Sequence, residues 1–337
     1  MVADGWHFLR ISAIGATLSL PLLGAASSRI PISSRRALGL LGVAACFHSF
    51  AYVHNDVCDL ELDRGQPLRA QYPLVRGALA PATALRFALV CVPAAFGLDA
   101  LAVGGSRHGR RRMLGLAFAL LAAYNRWGKC CPLPPLTDGL QGLGWAALIG
   151  YGALAAGAPT RLVHYLALYE FLLILQVNGV HGALRDLAND ASGGARTTAI
   201  WLGARIDSAG GLRISRRLTG YAALLHLALM IVAARAVVVN AGEYRPPAQT
   251  SAAIGLAALS AGLAVIGKAA RNGAAAPDLG MAHLILLLSA PVALAMPAMA
   301  PAPRLLLLAA HLLPLAINRM SFDALRGVMA GLRVRPE

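Results

Sequence analysis

Four oxygen-bearing side chains lie close together in the sequence NDVCDLELD: Asn55, Asp56, Asp59 and Asp63. If this stretch is helical, steps of three and four residues place the three aspartates on one face. Carboxylates so close to one another repel unless a multivalent cation lies among them. Mg²⁺ prefers a few carboxylates together with substrate phosphates to a cage made of protein alone. The motif therefore predicts a site for Mg²⁺ and a diphosphate.

The loop that follows offers a structural alternative for the same acids. Arg64, Arg69 and Arg76 could simply pair with them in a solvated loop. However, the acids come directly after a long apolar run, and ionisable groups at such a place are functional by default. We therefore favour the metal site over the solvated loop.

A second polar segment, VHGALRDLANDASGGARTTAIWLG, carries a smaller set of the same ligands. Asp186 and Asp190 are four residues apart, which places them on one helical face, and Arg185 and Arg196 flank them. Taken alone, this pattern fits a salt-bridge cluster at a helix end equally well. Combined with the first motif, it predicts a second Mg²⁺ site, so that a diphosphate lies between two metal ions.

A third segment, AYNRWGK, contributes candidates for binding the diphosphate. Tyr124, Arg126 and Lys129 could reach its oxygens and stabilise the leaving group. The structural alternative is an interfacial aromatic residue beside cations whose side chains extend to the membrane surface.

The elements that position these residues follow from the composition. Of the 337 residues, 58% are hydrophobic and 13% are charged, whereas a soluble domain carries about 25% charged residues. Several apolar runs reach the roughly 20 residues that cross a bilayer. We expect an all-α, polytopic transmembrane bundle of nine or ten helices. The runs cover about 6–26, 36–54, 82–104, 112–127, 139–157, 162–184, 217–239, 250–270, 280–299 and 303–320.

These runs predict a single domain over 1–337, with its core at about 6–320 and a short basic C-terminal tail at about 321–337. The first run contains Arg10 and lacks a small-residue cleavage pattern, so we expect a retained helix rather than a removable signal peptide.

The two acidic loops, 55–81 and 185–216, are separated by four apolar runs. Because this number is even, both loops must face the same side of the membrane. The balance of basic residues favours the cytoplasmic side for them. The preference for Ala, Gly, Arg and Leu is typical of a high-GC bacterial genome, so we expect a bacterial plasma membrane.

The net charge of +15 comes almost entirely from arginine, since Lys129 and Lys268 are the only lysines. Loops that contact anionic lipid headgroups explain most of it, and some arginines could neutralise an anionic substrate. Nucleic-acid binding is not expected of so apolar a chain. The five cysteines form no CxxC pair, so neither a zinc site nor a disulfide framework is predicted.

Together these motifs resemble the UbiA superfamily of intramembrane prenyltransferases. The resemblance covers roughly residues 6–320 and implies nine transmembrane helices around a central cavity, capped on the cytoplasmic side by the two aspartate motifs. It also implies Mg²⁺-dependent ionisation of an isoprenyl diphosphate and transfer of the prenyl group to a lipophilic acceptor. An aromatic acceptor is the one we expect. It rests on Asn55-Asp56-x-x-Asp59-x-x-x-Asp63, Pro73-Leu74-x-x-Gly77, Tyr124 with Lys129, and Asp186-x-x-x-Asp190 followed by Arg196-Thr197-Thr198 and Leu202-Gly203.

The resemblance also implies a role for each site residue. The expected metal ligands are Asn55, Asp56, Asp59 and Asp63 for one Mg²⁺, and Asp186 and Asp190 for the other. The expected diphosphate-binding residues are Asn55, Arg64, Arg69, Tyr124, Arg126, Lys129, Arg185 and Arg196. Those expected to act in catalysis are Asp56, Asp59, Asp186, Asp190 and Lys129.

The chain departs from the family pattern at two positions. Tyr72 stands where many members have an arginine directly before Pro-Leu, and Arg69 is the candidate to replace it. Ala183 stands where many members carry a further acid, three residues before the second motif.

A membrane-bound terpene cyclase of the same scaffold is the alternative function. It would ionise the same diphosphate, but the allylic cation would be captured by its own double bonds. Aromatic faces could stabilise that cation, although packing is the simpler reading of the aromatic residues Phe47, Phe50, Tyr52, Trp145 and Phe171. His54 and His181 could accept a proton, although a lone histidine at a helix end is more often only hydrogen-bonded. A transporter is disfavoured because its acids would be scattered along the helices.

Overall fold

The computed structural model describes residues 5, 7–27, 31–103, 107–157, 159–208, 210–240, 252, 254–262 and 276–317. The predicted basic tail over 321–337 lies outside this part of the chain. Within the described part, helices coincide with each of the predicted apolar runs. These helices are α1 (Ile14–Ala26), α2 (Ser34–Cys58), α3 (Pro81–Leu98), α4 (Arg107–Trp127), α5 (Pro134–Ala156), α6 (Arg161–Gln176), α7 (Arg216–Asn240), α8 (254–262), α9 (Ala276–Ala295) and α10 (Pro301–Ile317).

The connections contain shorter elements. Wider π-helical turns extend α3 over Asp99–Val103 and α6 over Val177–Gly182. The only strands among the described residues are β1 (Arg205–Ile206) and β2 (Leu212–Arg213), which pair antiparallel in the second acidic loop. The remaining short helices are Ile11–Ala13, Leu60–Asp63, Pro67–Arg69, Ala183–Arg185, Leu187–Ser192, Thr198–Trp201 and Met296–Ala298.

By length and composition, four described helices suffice to cross a membrane: Ser34–Cys58, Pro81–Val103, Arg161–Arg185 and Arg216–Asn240. Shorter apolar helices cover Ile14–Ala26, His283–Ala298 and Pro301–Leu313. The fold is therefore an all-helical bundle with membrane-spanning elements, apart from the small hairpin of β1 and β2. That nine or ten helices cross the membrane stays a prediction.

Glycines allow α1 and α5 to approach backbone to backbone. A Cβ atom added to Gly24 would lie 1.9 Å from the carbonyl oxygen of Ile149, and one added to Gly152 would lie 1.9 Å from that of Pro21. Lipid tails are as apolar as the side chains, so the hydrophobic effect does not bring helices together inside a membrane. Helices associate there through close packing, which small residues at the interface permit.

A buried ion pair fixes the end of the bundle opposite the acidic loops. Asp99 ends α3 and accepts hydrogen bonds from Arg110 Nε at 2.6 Å and from the Tyr151 hydroxyl at 3.0 Å. Both charged side chains are fully buried. A buried ion pair is stable when further hydrogen bonds satisfy its remaining donors and acceptors. Here the Tyr151 hydroxyl supplies such a bond to Asp99. This cluster therefore ties α3, α4 and α5 together.

Candidate active site

Each aspartate motif lies across a bend between two helices. Asp59 has φ −93° and ψ 5°, where α2 ends and the helix Leu60–Asp63 begins. Asp186 has φ −97° and ψ 5°, between the helices Ala183–Arg185 and Leu187–Ser192. This backbone region is sparsely populated and is one where active-site residues are found. The first motif is thus bent rather than one unbroken helical face, but Asp56, Asp59 and Asp63 all remain buried.

Two arginines neutralise the first motif. Arg69 Nη1 lies 3.1 Å from Asp56 Oδ1 and 2.9 Å from Asp63 Oδ2, so one guanidinium joins both carboxylates. Arg10 also pairs with Asp56, from the segment that precedes α1. Asn55 Nδ2 donates to Asp59 Oδ2 at 3.1 Å.

Lys129 joins the two motifs. Its Nζ atom lies 2.6 Å from Asp190 Oδ1 and 4.0 Å from Asp59 Oδ2. The lysine follows α4, and its carbonyl accepts a hydrogen bond from the backbone N–H of Arg196 at 2.8 Å. One cation from the third segment therefore faces an acid from each loop.

Direct contacts hold the two acidic loops together. Gln66 Nε2 donates to Asp186 Oδ1 at 3.2 Å, and Asn189 Nδ2 donates to the carbonyl of Leu62 at 2.9 Å. Gly193 leaves room for Leu62, since an added Cβ would lie 2.2 Å from its Cδ2. The motifs predicted from separate parts of the sequence thus form one site.

Burial controls the protonation of the acids. It raises the pKa of Asp63 to about 6, although Arg69 opposes the shift. Burial likewise raises the pKa of Asp59 and of Asp190 against the charge of Lys129. Burial alone would raise the pKa of Asp186, but the hydrogen bonds and charge of Arg185 outweigh it, so that pKa is lowered.

The lysine shows the complementary effect. Burial would lower the pKa of Lys129, but the charges of Asp59 and Asp190 outweigh it and the pKa is raised. Lys129 is therefore held as a cation beside the acids.

Several predicted residues lie at the edge of the site. Tyr124 lies near enough to Asp59 and Asp190 for their negative charges to act on its hydroxyl group. Arg185 makes two hydrogen bonds to Asp186, at 2.9 and 2.8 Å, while more than half of its side chain stays exposed. Arg64 is turned to the surface, where it pairs with Glu61 at 2.7 Å.

The remaining two predicted arginines, Arg126 and Arg196, are exposed. No hydrogen bond or ion pair between their side chains and the aspartates is found among the described residues.

Sequence reasoning missed Arg10 as a site residue. Its backbone is left-handed, with φ 43° and ψ 49°, a conformation that costs energy in a residue with a side chain. Its guanidinium lies over the rings of Tyr52 and Tyr72, at 5.2 and 5.7 Å from their centroids. The signal was an arginine inside an otherwise apolar run. Its partner, Asp56, could not be predicted, because it lies 46 residues along the chain.

Two cations approach the ring of Tyr72. Arg69 approaches its ring at 5.4 Å, while Arg10 approaches it from the segment before α1. Tyr72 also lines a recess with Phe8, Asp56, Asp63 and Pro73–Val75. With a tyrosine at position 72, the guanidinium of Arg69 contacts Asp56 and Asp63. That Arg69 replaces the family's arginine in binding the diphosphate stays a prediction.

The acids fit Mg²⁺ by their chemistry. They supply hard carboxylate oxygens, buried at the point where both loops meet. Among the residues described, no three His, Cys, Asp or Glu side chains lie close enough to hold a metal ion. The spaces between the carboxylates are taken by Arg10, Arg69 and Lys129. Binding of Mg²⁺ would therefore require these cations to move aside.

Aromatic rings are packed beside the first motif on α2, α4 and α5. Phe118 contacts the rings of Phe47 and Phe50, with centroids 5.3 and 5.2 Å apart. Trp145 lies 6.1 Å from Phe47 and 6.4 Å from Tyr52. The Nε1 atom of Trp145 is buried without a hydrogen-bond partner. The expected aromatic residues on α2 and α5 therefore form one cluster inside the bundle.

The fold and the site define a class of protein, namely an integral membrane helical bundle in which two aspartate motifs meet around buried cations. The profile of the UbiA prenyltransferase family matches residues 14–286, and the chain belongs to that family. The family resemblance of the sequence is thereby confirmed. Comparison with curated protein sequences gave no significant match.

Solved structures of similar fold agree with this assignment. A UbiA homologue from Aeropyrum pernix K1 in its apo form is 20% identical, with a TM-score of 0.64, over 84% of this chain and 96% of that chain. A digeranylgeranylglyceryl phosphate synthase is 17% identical, with a TM-score of 0.64, over 88% and 98%. A UbiA homologue from Archaeoglobus fulgidus bound to GPP and Mg²⁺ is 16% identical, with a TM-score of 0.62, over 86% and 98%.

Proposed function

We propose that this protein is a Mg²⁺-dependent intramembrane prenyltransferase that ionises an isoprenyl diphosphate and alkylates a lipophilic, aromatic acceptor. The observation that carries the proposal is the position of Lys129, with one acid of each loop on either side of it. Such a cluster of acids and cations suits an anion together with divalent cations. The Archaeoglobus fulgidus homologue, bound to GPP and Mg²⁺, supports the choice of ligand.

The residues divide the work by charge. When two Mg²⁺ ions are bound to Asn55, Asp56, Asp59 and Asp63 on one side and Asp186 and Asp190 on the other, they supply Lewis-acid stabilisation of the leaving diphosphate. Lys129, Arg69 and Arg10 are the cations that contact these acids, and they would turn to the diphosphate oxygens. Tyr124 and Arg185 complete the set, with Arg64, Arg126 and Arg196 at its exposed rim.

The apolar interior protects the product of ionisation. An allylic cation must be kept from water, and the aromatic cluster of Phe47, Phe50, Phe118 and Trp145 lies beside the first motif to do so. The faces of these rings also attract positive charge. The same cluster is the observation that favours the alternative, a terpene cyclase in which the cation reacts with its own double bonds.

An incubation without acceptor separates the two functions. Membranes that contain the protein are supplied with isoprenyl diphosphates of several lengths and Mg²⁺, and the lipid extract is analysed with and without a lipophilic phenol. We expect a prenylated product only when the phenol is present. A cyclised hydrocarbon formed without it would contradict the transferase and support the cyclase.

Two variants test the assignment of the metal ligands. Asp56→Asn and Asp186→Asn remove one acid from each motif and should reduce turnover on the order of 1,000-fold or more, because transition-state charge is no longer stabilised. Glu61→Gln is the matched control, since the one ion pair of this exposed acid within the described part of the chain is with Arg64, in the same loop. Activity retained in either aspartate variant, with Mg²⁺ at its usual concentration, would refute the two-metal assignment.

A further inference from the structure

One buried acid near the candidate site has no part in the proposed reaction. Asp138 is the fifth residue of α5, which begins at Pro134, and it is 7% exposed. In the part of the chain that the structure describes, no lysine, arginine or histidine side chain pairs with it. A helix favours acids in its first turn, but Asp138 lies beyond that turn. A buried carboxylate at this position therefore requires another explanation.

Its hydrogen-bond partner is Thr198 in the second acidic loop, 60 residues along the chain. The Thr198 hydroxyl donates to Asp138 Oδ2 at 2.5 Å, and both side chains are buried. Gly179, in the π-helical turn after α6, lies over this bond, because a Cβ atom added there would be 3.2 Å from Thr198 Cγ2 and 3.4 Å from Asp138 Oδ2. A short hydrogen bond to a carboxylate that is shielded from water is among the stronger contacts of a side chain.

Thr198 ends a segment, 195–198, that is bonded to the site at two further points. The backbone N–H groups of its first two residues donate to carbonyls of the site, one to Asp190 and the next to Lys129, both at 2.8 Å. Lys129 and Asp190 are the residues whose side chains form the ion pair of 2.6 Å. Segment 195–198 thus joins the backbones of this ion pair, and Asp138 anchors the far end of the segment.

The start of α5 also contacts the residue before Lys129. The Thr137 hydroxyl lies 3.3 Å from the carbonyl oxygen of Gly128 and 2.8 Å from that of Pro134. Because α5 packs backbone to backbone against α1, it gives these contacts a rigid base. Thr137 and Asp138 therefore attach α5 to both segments that meet at the ion pair.

We propose that Asp138 is a positioning residue for the reaction, which holds segment 195–198 through Thr198 and thereby keeps Lys129 in place between the two acidic loops. This proposal rests on the proposed function, in which Lys129 stabilises the leaving diphosphate. No hydrogen bond or ion pair among the described residues joins Asp138 to Lys129 or to either aspartate motif, so its effect must pass through Thr198. A displacement of about 1 Å in a catalytic group can cost on the order of 100-fold in rate.

Loss of the hydrogen bond tests this role. Release of diphosphate from geranyl diphosphate is measured with Mg²⁺ and a lipophilic phenol, in Asp138→Ala, in Thr198→Val and in the double variant. We expect kcat to fall by about 10- to 100-fold in each, with KM for geranyl diphosphate within about 3-fold of wild type, because the amine is misplaced chiefly for the transition state. The double variant should be no worse than either single one, because both remove the same contact. Valine has the shape of threonine, so Thr198→Val carries the test if Asp138→Ala does not fold.

Conservative variants separate the hydrogen bond from the charge. Asp138→Asn keeps an acceptor and Thr198→Ser keeps the hydroxyl, so both should stay within about 2-fold of the wild-type kcat. Thr219→Val is the matched control, since Thr219 is exposed on α7 and its hydroxyl donates to the carbonyl of Ser215 at 3.1 Å. A loss in Asp138→Asn as large as in Asp138→Ala would show that the charge acts directly, and it would overturn the positioning role.

A variant of Lys129 separates positioning from general support of the fold. If Asp138 acts through Lys129, Asp138→Ala should cost less than about 2-fold in a Lys129→Met background, because the group that Asp138 positions is already gone. A further loss of about 10-fold or more in that background would show that Asp138 acts elsewhere, and the positioning role would be wrong.

The reactivity of Lys129 gives a second measurement that needs no turnover. Lys129 and Lys268 are the only lysines of the chain, so brief reductive methylation followed by peptide mass spectrometry compares the two in one molecule. Methylation of Lys129 relative to Lys268 should rise several-fold in Asp138→Ala and in Thr198→Val, because an amine freed from Asp190 is easier to reach and to deprotonate. It should stay at the wild-type level in Thr198→Ser.

The outcomes distinguish the positioning role from the function on which it rests. If wild-type enzyme turns over and both Asp138→Ala and Thr198→Val match it in kcat and in methylation of Lys129, the positioning role is wrong and the proposed function stands. A fall in kcat without a change in that methylation would also overturn the role, because the effect would not pass through Lys129. Wild-type enzyme that releases no diphosphate from isoprenyl diphosphates of any length would overturn the proposed function and the role with it.

Discussion

At the scale of single residues, arginine side chains supply the positive charge beside the aspartates that bound Mg²⁺ would otherwise supply. Asp56 is in contact with both Arg10 and Arg69, and Asp63 shares Arg69. A buried carboxylate is costly without such partners. The metal-free site is therefore stabilised by its own cations, and metal binding competes with them.

Removal of Arg10 tests this competition. In metal-free protein, Arg10→Gln should lower the unfolding temperature because Asp56 loses one partner. The loss should be smaller than the roughly 3–5 kcal/mol of a fully broken buried pair, since Arg69 still contacts Asp56. Excess Mg²⁺ should recover most of the loss, because the ion then has one guanidinium fewer to displace from Asp56. An equal loss with and without Mg²⁺, in scans that include Arg213→Gln as the exposed control, would contradict the competition.

The raised pKa of Asp63 predicts how the metal-free protein depends on pH. Asp63 has a pKa of about 6 in the folded protein, against an ordinary value of 3.8. Its contribution to the free energy of unfolding is therefore largest below the ordinary pKa. This contribution falls as the pH rises from the ordinary to the raised pKa, by roughly 3 kcal/mol at 1.4 kcal/mol per pKa unit. Asp63→Asn mimics the protonated form and should remove this fall. Unfolding in EDTA between pH 4 and pH 7.5 measures it, and an equally steep fall in the variant would refute the assignment to Asp63.

At the scale of elements, the bundle depends on close contact between α1 and α5. The carbonyl oxygens of Pro21 and Ile149 occupy the space that side chains at Gly152 and Gly24 would need. Backbone atoms cannot move aside as the end of a flexible side chain can. The sequence predicted both helices but not this interface, because the glycines that form it lie more than a hundred residues apart.

A pair of glycine variants tests that interface. Gly152→Ala should separate α1 from α5 and lower both the unfolding temperature and the yield of folded protein, with a cost of about 1–3 kcal/mol or more. Gly220→Ala in α7 is the control, because a Cβ there meets nothing within 4 Å, and alanine favours a helix by about 1 kcal/mol over glycine. Equal stability of the two variants would show that the contact is not needed.

At the scale of the whole molecule, local patterns in the sequence predicted most of the helices and the two groups of acids that meet in the candidate site. Apolar runs are local, so most helices were predictable to within a few residues, although α1 begins at Ile14 and not near residue 6. The aspartate spacings were local too, and the structure brings Asp59 and Asp190 to the same lysine. The contacts of Arg10 and Gln66 were not predictable, because they depend on how distant helices pack. The small hairpin of β1 and β2 was missed since two-residue strands leave no periodic pattern.

The orientation of the molecule remains a prediction that labelling can test. In a cysteine-free background with Cys130 restored, the thiol lies beside Lys129 and is exposed. We expect an impermeant maleimide to label it only after the membrane is opened, because the site is predicted to face the cytoplasm. Arg161→Cys at the start of α6, on the opposite side by the order of the helices, should be labelled in intact cells. The reverse pattern would place the acidic loops outside.

The contacts between the two acidic loops have a consequence for biogenesis. Asn189 reaches the carbonyl of Leu62 across 127 residues of chain, and Gln66 reaches Asp186 across 120. During synthesis, the first aspartate motif is therefore made long before the second one. In that interval, the cations nearest to its acids in the sequence are the arginines of the same loop. Arg69, which pairs with Asp56 and Asp63 in the folded structure, is available to them throughout that interval because it follows them by only 13 and 6 residues. We therefore expect insertion of the first acidic loop to depend on Arg69 before the second loop has been made.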